Sequence, residues 1–143
     1  MKEKIMLHLE AFQIQNGEKE HVVTIDTVGE VYTSQGYLCL EYEETELVGV
    51  KGTTAQICIP EKASQKVVVR RTGSSNMQQV FEEGKKHKSI YKTPYGEMAI
   101  EVMPRTVRVN LQEKEVNIIL SYDLMVSEQY VGQHQMIIKA NWA

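Results

Sequence analysis

An all-β fold is predicted, a single antiparallel up-and-down meander of about eight to ten strands that closes into a barrel, and three observations carry it. The first is a period of two with no helical stretch to interrupt it. Val116, Ile118, Leu120, Tyr122, Leu124 and Val126 alternate with Glu115, Asn117, Ser121 and Asp123, and Leu38, Leu40, Tyr42 and Ala55, Ile57, Ile59 repeat the rhythm. Successive side chains of a strand point to opposite faces, so the pattern specifies a sheet with one buried and one wet side. The second is that every connection is short. A parallel crossover needs a dozen residues or more, so sequence neighbours pair antiparallel. The third is that strands of this number and length, apolar on one face, curl and close to remove their edges.

Turn residues punctuate the chain into strands near 4–15, 20–33, 36–44, 52–60, 66–72, 76–83, 86–93, 97–110, 114–127 and 130–141. The breaks in order are Asn16-Gly17, Gln35-Gly36, Val48-Gly49, Gly73-Ser74-Ser75, Glu83-Gly84, Pro94-Tyr95-Gly96, the Gln112-Glu113 region and Glu128-Gln129. Register follows from aligning apolar with apolar. For the third and fourth strands this sets Leu38 opposite Ile59, Leu40 opposite Ile57 and Tyr42 opposite Ala55, which leaves Cys39 opposite Cys58 and Glu41 opposite Gln56 on the other face. For the last two strands it sets Ile118 opposite Ile138, Leu120 opposite Met136 and Tyr122 opposite His134, with Asn117, Ser121 and Asp123 on a solvated reverse face. Thr93-Pro94-Tyr95-Gly96 suits a type I turn closed by a left-handed glycine, which would pair Ile90 with Ile100.

The 143 residues suit one domain spanning 1–143, and a 42% hydrophobic content supplies a core without staples. A net charge of −3 gives no global field for nucleic acid or an anionic membrane surface. The run from Ile5 to Leu9 is broken by His8 and ends at Glu10, too short for a signal-peptide core or a membrane span, so a cytoplasmic location is expected. Cys39 and Cys58 are too few for a disulfide scaffold and lack zinc spacing, so two reduced thiols are expected. His8, His21, His87 and His134 show no ligand spacing, and no metal or cofactor is expected.

Several landmarks occur together: Leu40-Glu41-Tyr42-Glu43-Glu44, Thr53-Thr54, Arg71-Thr72-Gly73, Glu82-Glu83, Tyr91 and Thr93-Pro94-Tyr95-Gly96. In order and spacing, over nearly the whole chain, they resemble the YwiB-like family of small uncharacterised bacterial proteins. The resemblance implies a lipocalin-like, or calycin-type, β-barrel and supplies no activity. Lipocalin-like barrels elsewhere hold small apolar ligands, which is analogy at the level of fold.

Arg70 and Arg71 are neighbours on one strand, so one of them faces inward. There it either clamps an anionic ligand head group or plugs the narrow end of the barrel through carbonyls or a Glu. Tyr122 and His134 are a polar pair on an apolar face, able to orient a ligand atom or simply to satisfy each other. Glu41 and Glu43 have the spacing of metal-binding carboxylates in triphosphate-processing barrels, but the register places both outside and the strands lack the inward cations a triphosphate needs. Lys85-Lys86-His87-Lys88 reads as a solvated hairpin tip rather than a phosphate contact. No GxSxG, GxGxxG or P-loop is present, and no nucleophile constellation is visible. Two readings remain. The first is a non-catalytic barrel binding a small apolar or amphipathic ligand inside, with Tyr42, Arg71, Tyr122 and His134 as polar anchors. The second is a protein- or RNA-interaction module with a filled interior.

Overall fold

In the computed structural model, which describes residues 2–44, 51–62 and 65–143, ten strands follow one another and no helix occurs among the described residues. They are β1 (Glu3–Gln15), β2 (Glu18–Ser34), β3 (Tyr37–Glu43), β4 (Thr53–Pro60), β5 (Lys66–Gly73), β6 (Met77–Glu82), β7 (His87–Thr93), β8 (Gly96–Gln112), β9 (Glu115–Val126) and β10 (Gln129–Trp142). All form one antiparallel sheet in the order β6-β5-β4-β3-β2-β1-β10-β9-β8-β7. Each consecutive pair except β6 and β7 is joined by a ladder, and the meander is turned on itself by the pairing of β1 with β10, as in Leu7 with Ala140 and Leu9 with Ile138. The break expected at Val48-Gly49 lies outside the described residues.

The alternating residues fill the interior. Leu7, Leu40, Ile57, Val67, Phe81, Val102, Val107, Val116, Ile118, Leu120 and Ile138 are almost wholly shielded from water. Full burial of side chains of this kind stabilises by roughly 1.5 to 3 kcal/mol each, which makes this belt the main source of cohesion. Gly29 is the inward residue of β2 just before that strand meets β3. A Cβ there would collide with the Glu41 carbonyl oxygen and crowd Leu7 Cδ1, so only glycine lets the two strands approach.

The registers of β3 with β4 and of β9 with β10 are as the apolar alignment requires, including Cys39 opposite Cys58 and Tyr122 opposite His134. Three expectations are corrected. Ile90 pairs with Ala99 and Ser89 with Ile100. The Pro94-Tyr95 turn leaves Thr93 and Gly96 directly paired, with Thr93 Oγ1 receiving the Tyr95 N–H at 3.1 Å, so no extra residue is absorbed there and the register moves by one. Ile90 therefore faces solvent and Ser89 faces in, its buried Oγ without a hydrogen-bond partner. The reverse face of the last hairpin is half-buried rather than solvated, because long neighbours cover it. Arg105 donates to Asp123 at 2.7 Å and Tyr130 to the same carboxylate at 2.9 Å. Finally, Cys39 and Cys58 are joined in a disulfide, with no free thiol among the described residues. Direct cross-strand opposition places the two Cα atoms 4.1 Å apart and brings the sulfurs within bonding reach.

The barrel is sealed rather than laddered between β6 and β7. Asn76 and Lys92 exchange backbone hydrogen bonds of 2.8 and 2.9 Å at one end. Elsewhere the contacts are Val80 N–H to His87 Nδ1 at 3.3 Å, Val107 N–H to Glu83 Oε1 at 2.9 Å and Gly84 N–H to the Pro104 carbonyl at 3.0 Å. β8 outruns β7 after the Val102–His87 pair, so Pro104, which has no N–H to offer, sits on a stretch of strand with no ladder on that side.

Candidate functional site

The inward face is incompletely covered at both ends of the barrel, by Leu38, Val109 and Trp142 at one and more extensively at the other, that of the turns at 16–17, 74–76, 94–95 and 127–128. There Ile25, Met77, Tyr91, Tyr122, Leu124, Val126 and Met136 lie against the core and are only partly buried. The opening has a topological cause. β2 pairs with β3 only from Glu30 to Ser34, so its stretch Glu18–Gly29 has β1 as its one strand neighbour among the described residues.

All four polar residues singled out from the sequence come to this end. Cross-strand partners align Tyr42, Ala55, Arg71 and Met77 in one row, and Tyr122, His134 and Gln13 in another. Arg71, not Arg70, faces inward. Arg70 is exposed and donates to Gln78 at 3.2 Å. Arg71 Nε donates to Glu44 Oε1 at 2.7 Å, and the Glu44 side chain is only 4% exposed. The guanidinium thus completes a polar plug together with the buried pair Thr53 and Ser75, whose hydroxyls lie 3.0 Å apart. Burying one such charge requires the other, which is why the cation sits where a carboxylate meets it.

Tyr122 and His134 stack, with ring centroids 5.9 Å apart and planes inclined by 19°, instead of bonding to each other. His134 Nδ1 is buried and has no hydrogen-bond partner. Phe81 meets Tyr122 edge-on at 5.1 Å, linking β6 to β9 across the interior. Burial pushes the Tyr122 hydroxyl above its ordinary pKa, with the Arg71 charge pulling the other way. Tyr42 is raised by burial too, opposed by Arg71 and assisted by Glu44. Both phenols are therefore neutral donors at physiological pH. Grooves of about 290 to 350 Å³ also mark the surface of the described residues; one of them reaches Tyr42, beside Val28 and Gly29, and Arg71, Tyr122 and His134 line none of these.

Glu41 and Glu43 point away from the interior. Burial works to raise the Glu41 carboxyl, but hydrogen bonds from Gln56 and Tyr32 and the charge of Lys2 outweigh it and hold it below the ordinary value. Among the described residues no group of three or more His, Cys, Asp or Glu is placed to hold a metal ion. The half-open apolar ring and the Glu44 partner were not identified from the sequence. Their one signal there is the continuation of the alternation to Leu124 and Val126.

Comparisons with known proteins agree with this architecture. Residues 7–138 match the family model described as "Domain of unknown function (DUF1934)". The "Uncharacterized beta-barrel protein YwiB" of Bacillus subtilis (strain 168) is 28% identical over 134 residues, spanning 94% of this chain and 90% of that protein. The crystal structure of the ywiB protein from Bacillus subtilis superposes with a TM-score of 0.79 at 24% identity, covering 99% of this chain and 93% of that one, which is a likeness of fold. A match over so much of its length makes this chain a member of the DUF1934 family of β-barrel proteins.

Proposed function

We propose that the barrel binds a small amphipathic molecule at its half-open end without catalysing a reaction. One observation carries the reading: inward-facing apolar side chains are left only partly buried beside a buried, unpartnered His134 Nδ1. Apolar surface retained on an inner face gains free energy when an occupant covers it, and an orphaned buried nitrogen gains a hydrogen bond. The apolar part would lie against Ile25, Leu124, Val126 and Met136, and a polar group would meet His134 and the neutral Tyr122 hydroxyl. Arg71 is already engaged by Glu44, so the ligand's polar group need not be anionic. The fully packed belt below sets the depth of entry, which favours short chains or single rings over long lipids.

The second reading, an interaction module, draws on the outer face, where Met6 and Val28 are cross-strand partners 59% and 58% exposed. A thermal-shift panel of medium-chain fatty acids, medium-chain alcohols and single-ring aromatic acids and phenols separates the two. A binder at a concentration of about 100 times its Kd adds roughly 2.7 kcal/mol and raises Tm. The Leu124→Trp variant, which fills the opening, should lose that shift. No shift with any compound, or an equal shift in the variant, would move the case to the outer face.

A further inference from the structure

We propose that the Cys39–Cys58 bridge is a thiol–disulfide exchange site that takes a small anionic thiol as its reactant. The bridge lies on the outside of the barrel, remote in chemistry from the half-open end, in a groove of about 350 Å³ over β2 to β6. Tyr32, Gln56, Lys66, Arg70 and Gln78 line it around the two sulfur residues. The charged side chains in that lining, Lys66 and Arg70, are both cations, in a chain whose net charge is −3. The Glu41 carboxylate on the same face is engaged by Lys2, Tyr32 and Gln56. A groove so charged concentrates anions and stabilises thiolates.

The two cysteines are not equivalent. Both line the groove, but Cys39 is 5% exposed as a residue whereas Cys58 is half-buried, so the attack is assigned to Cys58 as the more exposed residue of the pair. The step balances without any further oxidant. A thiolate attacks Cys58 Sγ, the protein S–S bond breaks with its electron pair passing to Cys39 Sγ, and that sulfur takes a proton from water. The mixed disulfide then has two fates. Cys39 expels the thiol again, or a second thiolate attacks the reagent's sulfur and departs as the symmetric disulfide, leaving the protein as a dithiol. Two thiols are oxidised for each protein bridge reduced. β3 is held by ladders to β2 and β4, and β4 by ladders to β3 and β5, so the covalent bond opens and closes on strands that stay in place.

The test uses air-oxidised full-length protein and two thiols of similar size, anionic 3-mercaptopropionate and cationic cysteamine, compared at equal thiolate concentration without denaturant. The anionic thiol should open the bridge about tenfold faster. Acid-quenched peptide mapping should find the first adduct on Cys58. In the Lys66→Gln/Arg70→Gln variant the rate ratio should fall towards one. The proposal is overturned by oxidised protein that titrates as two free thiols, by a bridge that opens only in denaturant, by a first adduct on Cys39, or by equal rates for the two reagents. All four readouts come from the unmodified protein, so they stand even if the double variant fails to fold.

Discussion

Leu120 and Asn117 stand three residues apart on β9 and face opposite ways, which makes them a direct measure of how one-sided the strand is. Leu120 has no exposed surface, and truncation to Ala should cost about 2 to 5 kcal/mol in denaturant unfolding. Asn117 is half-buried and donates to Glu115 at 3.1 Å, and Asn117→Ser should stay within about 0.5 kcal/mol of the parent. Comparable losses at both sites would show that the outer face contributes as much packing as the inner. His8, on the outer face of β1, lies between two carboxylates, with Glu10 at 2.7 Å and Asp26 at 2.6 Å. Its hydrogen bonds to Glu10 and Asp26 raise its pKa above 6.5. Because the folded value is the higher one, the stabilisation is fully present below pH 6.5 and is lost as pH rises through the folded midpoint. An NMR titration should place the imidazole midpoint above 6.5, and Glu10→Gln with Asp26→Asn should bring it down. Faces were legible for most residues, Ile90 and Ser89 excepted, since a period of two assigns each side chain to in or out once the register is right. The bond between Cys39 and Cys58 was not. Opposition fixes proximity, but the redox state of two thiols depends on their surroundings and leaves no trace in hydropathy.

The seam between β6 and β7 shows how strands behave when no ladder joins them. Glu83 is exposed, yet its carboxylate accepts the N–H of the buried Val107, a strand donor left without a partner where β8 passes the end of β7. Glu83→Ala strips that donor and should cost about 1 to 3 kcal/mol, with the Val107 amide exchanging faster in hydrogen-exchange measurements. Unchanged exchange at Val107 would mean that water replaces the carboxylate at no cost. A second unladdered edge, Glu18–Gly29 of β2, begins Glu18-Lys19-Glu20, a charged opening that discourages a foreign strand from adding. Element boundaries were readable because Gly and Asn mark the turns, as at Asn16-Gly17 and Gln35-Gly36, both in the left-handed region. The β7–β8 register was not, because Thr93-Pro94-Tyr95-Gly96 fits two loop lengths and the apolar content of Ile90 and Ile100 favoured the wrong one. The half-open end was equally hidden, since alternation assigns a face but says nothing of the height at which β2 loses its second neighbour.

For the molecule as a whole, the decisive contact joins the elements most distant in the chain. β10 lies between β1 and β9 and satisfies both, so a chain ending at Val126 leaves β1 paired only with β2 and β9 only with β8, each with one open edge, and the Ile138 and Ala140 positions of the core empty. Such a truncation should show no cooperative unfolding transition and little β signal in circular dichroism. A sharp transition in the shortened chain would mean that β1 to β9 close by another route. The meander itself was legible from short connections, and the pairing of first with last followed from the need to remove edges rather than from any residue in either strand. That pairing also sets an order of events during translation. β1 leaves the ribosome first and finds β2 at once, but its other edge waits until the whole of β2 to β9 has been made. Throughout that interval the nascent protein carries an unzipped row of backbone donors and acceptors flanked by Ile5, Leu7 and Leu9. At about 5 to 20 residues per second, making β2 to β9 takes several seconds, against milliseconds to seconds for the closure of small all-β domains, so synthesis is the longer part of the time this chain must be kept from its neighbours on a crowded polysome.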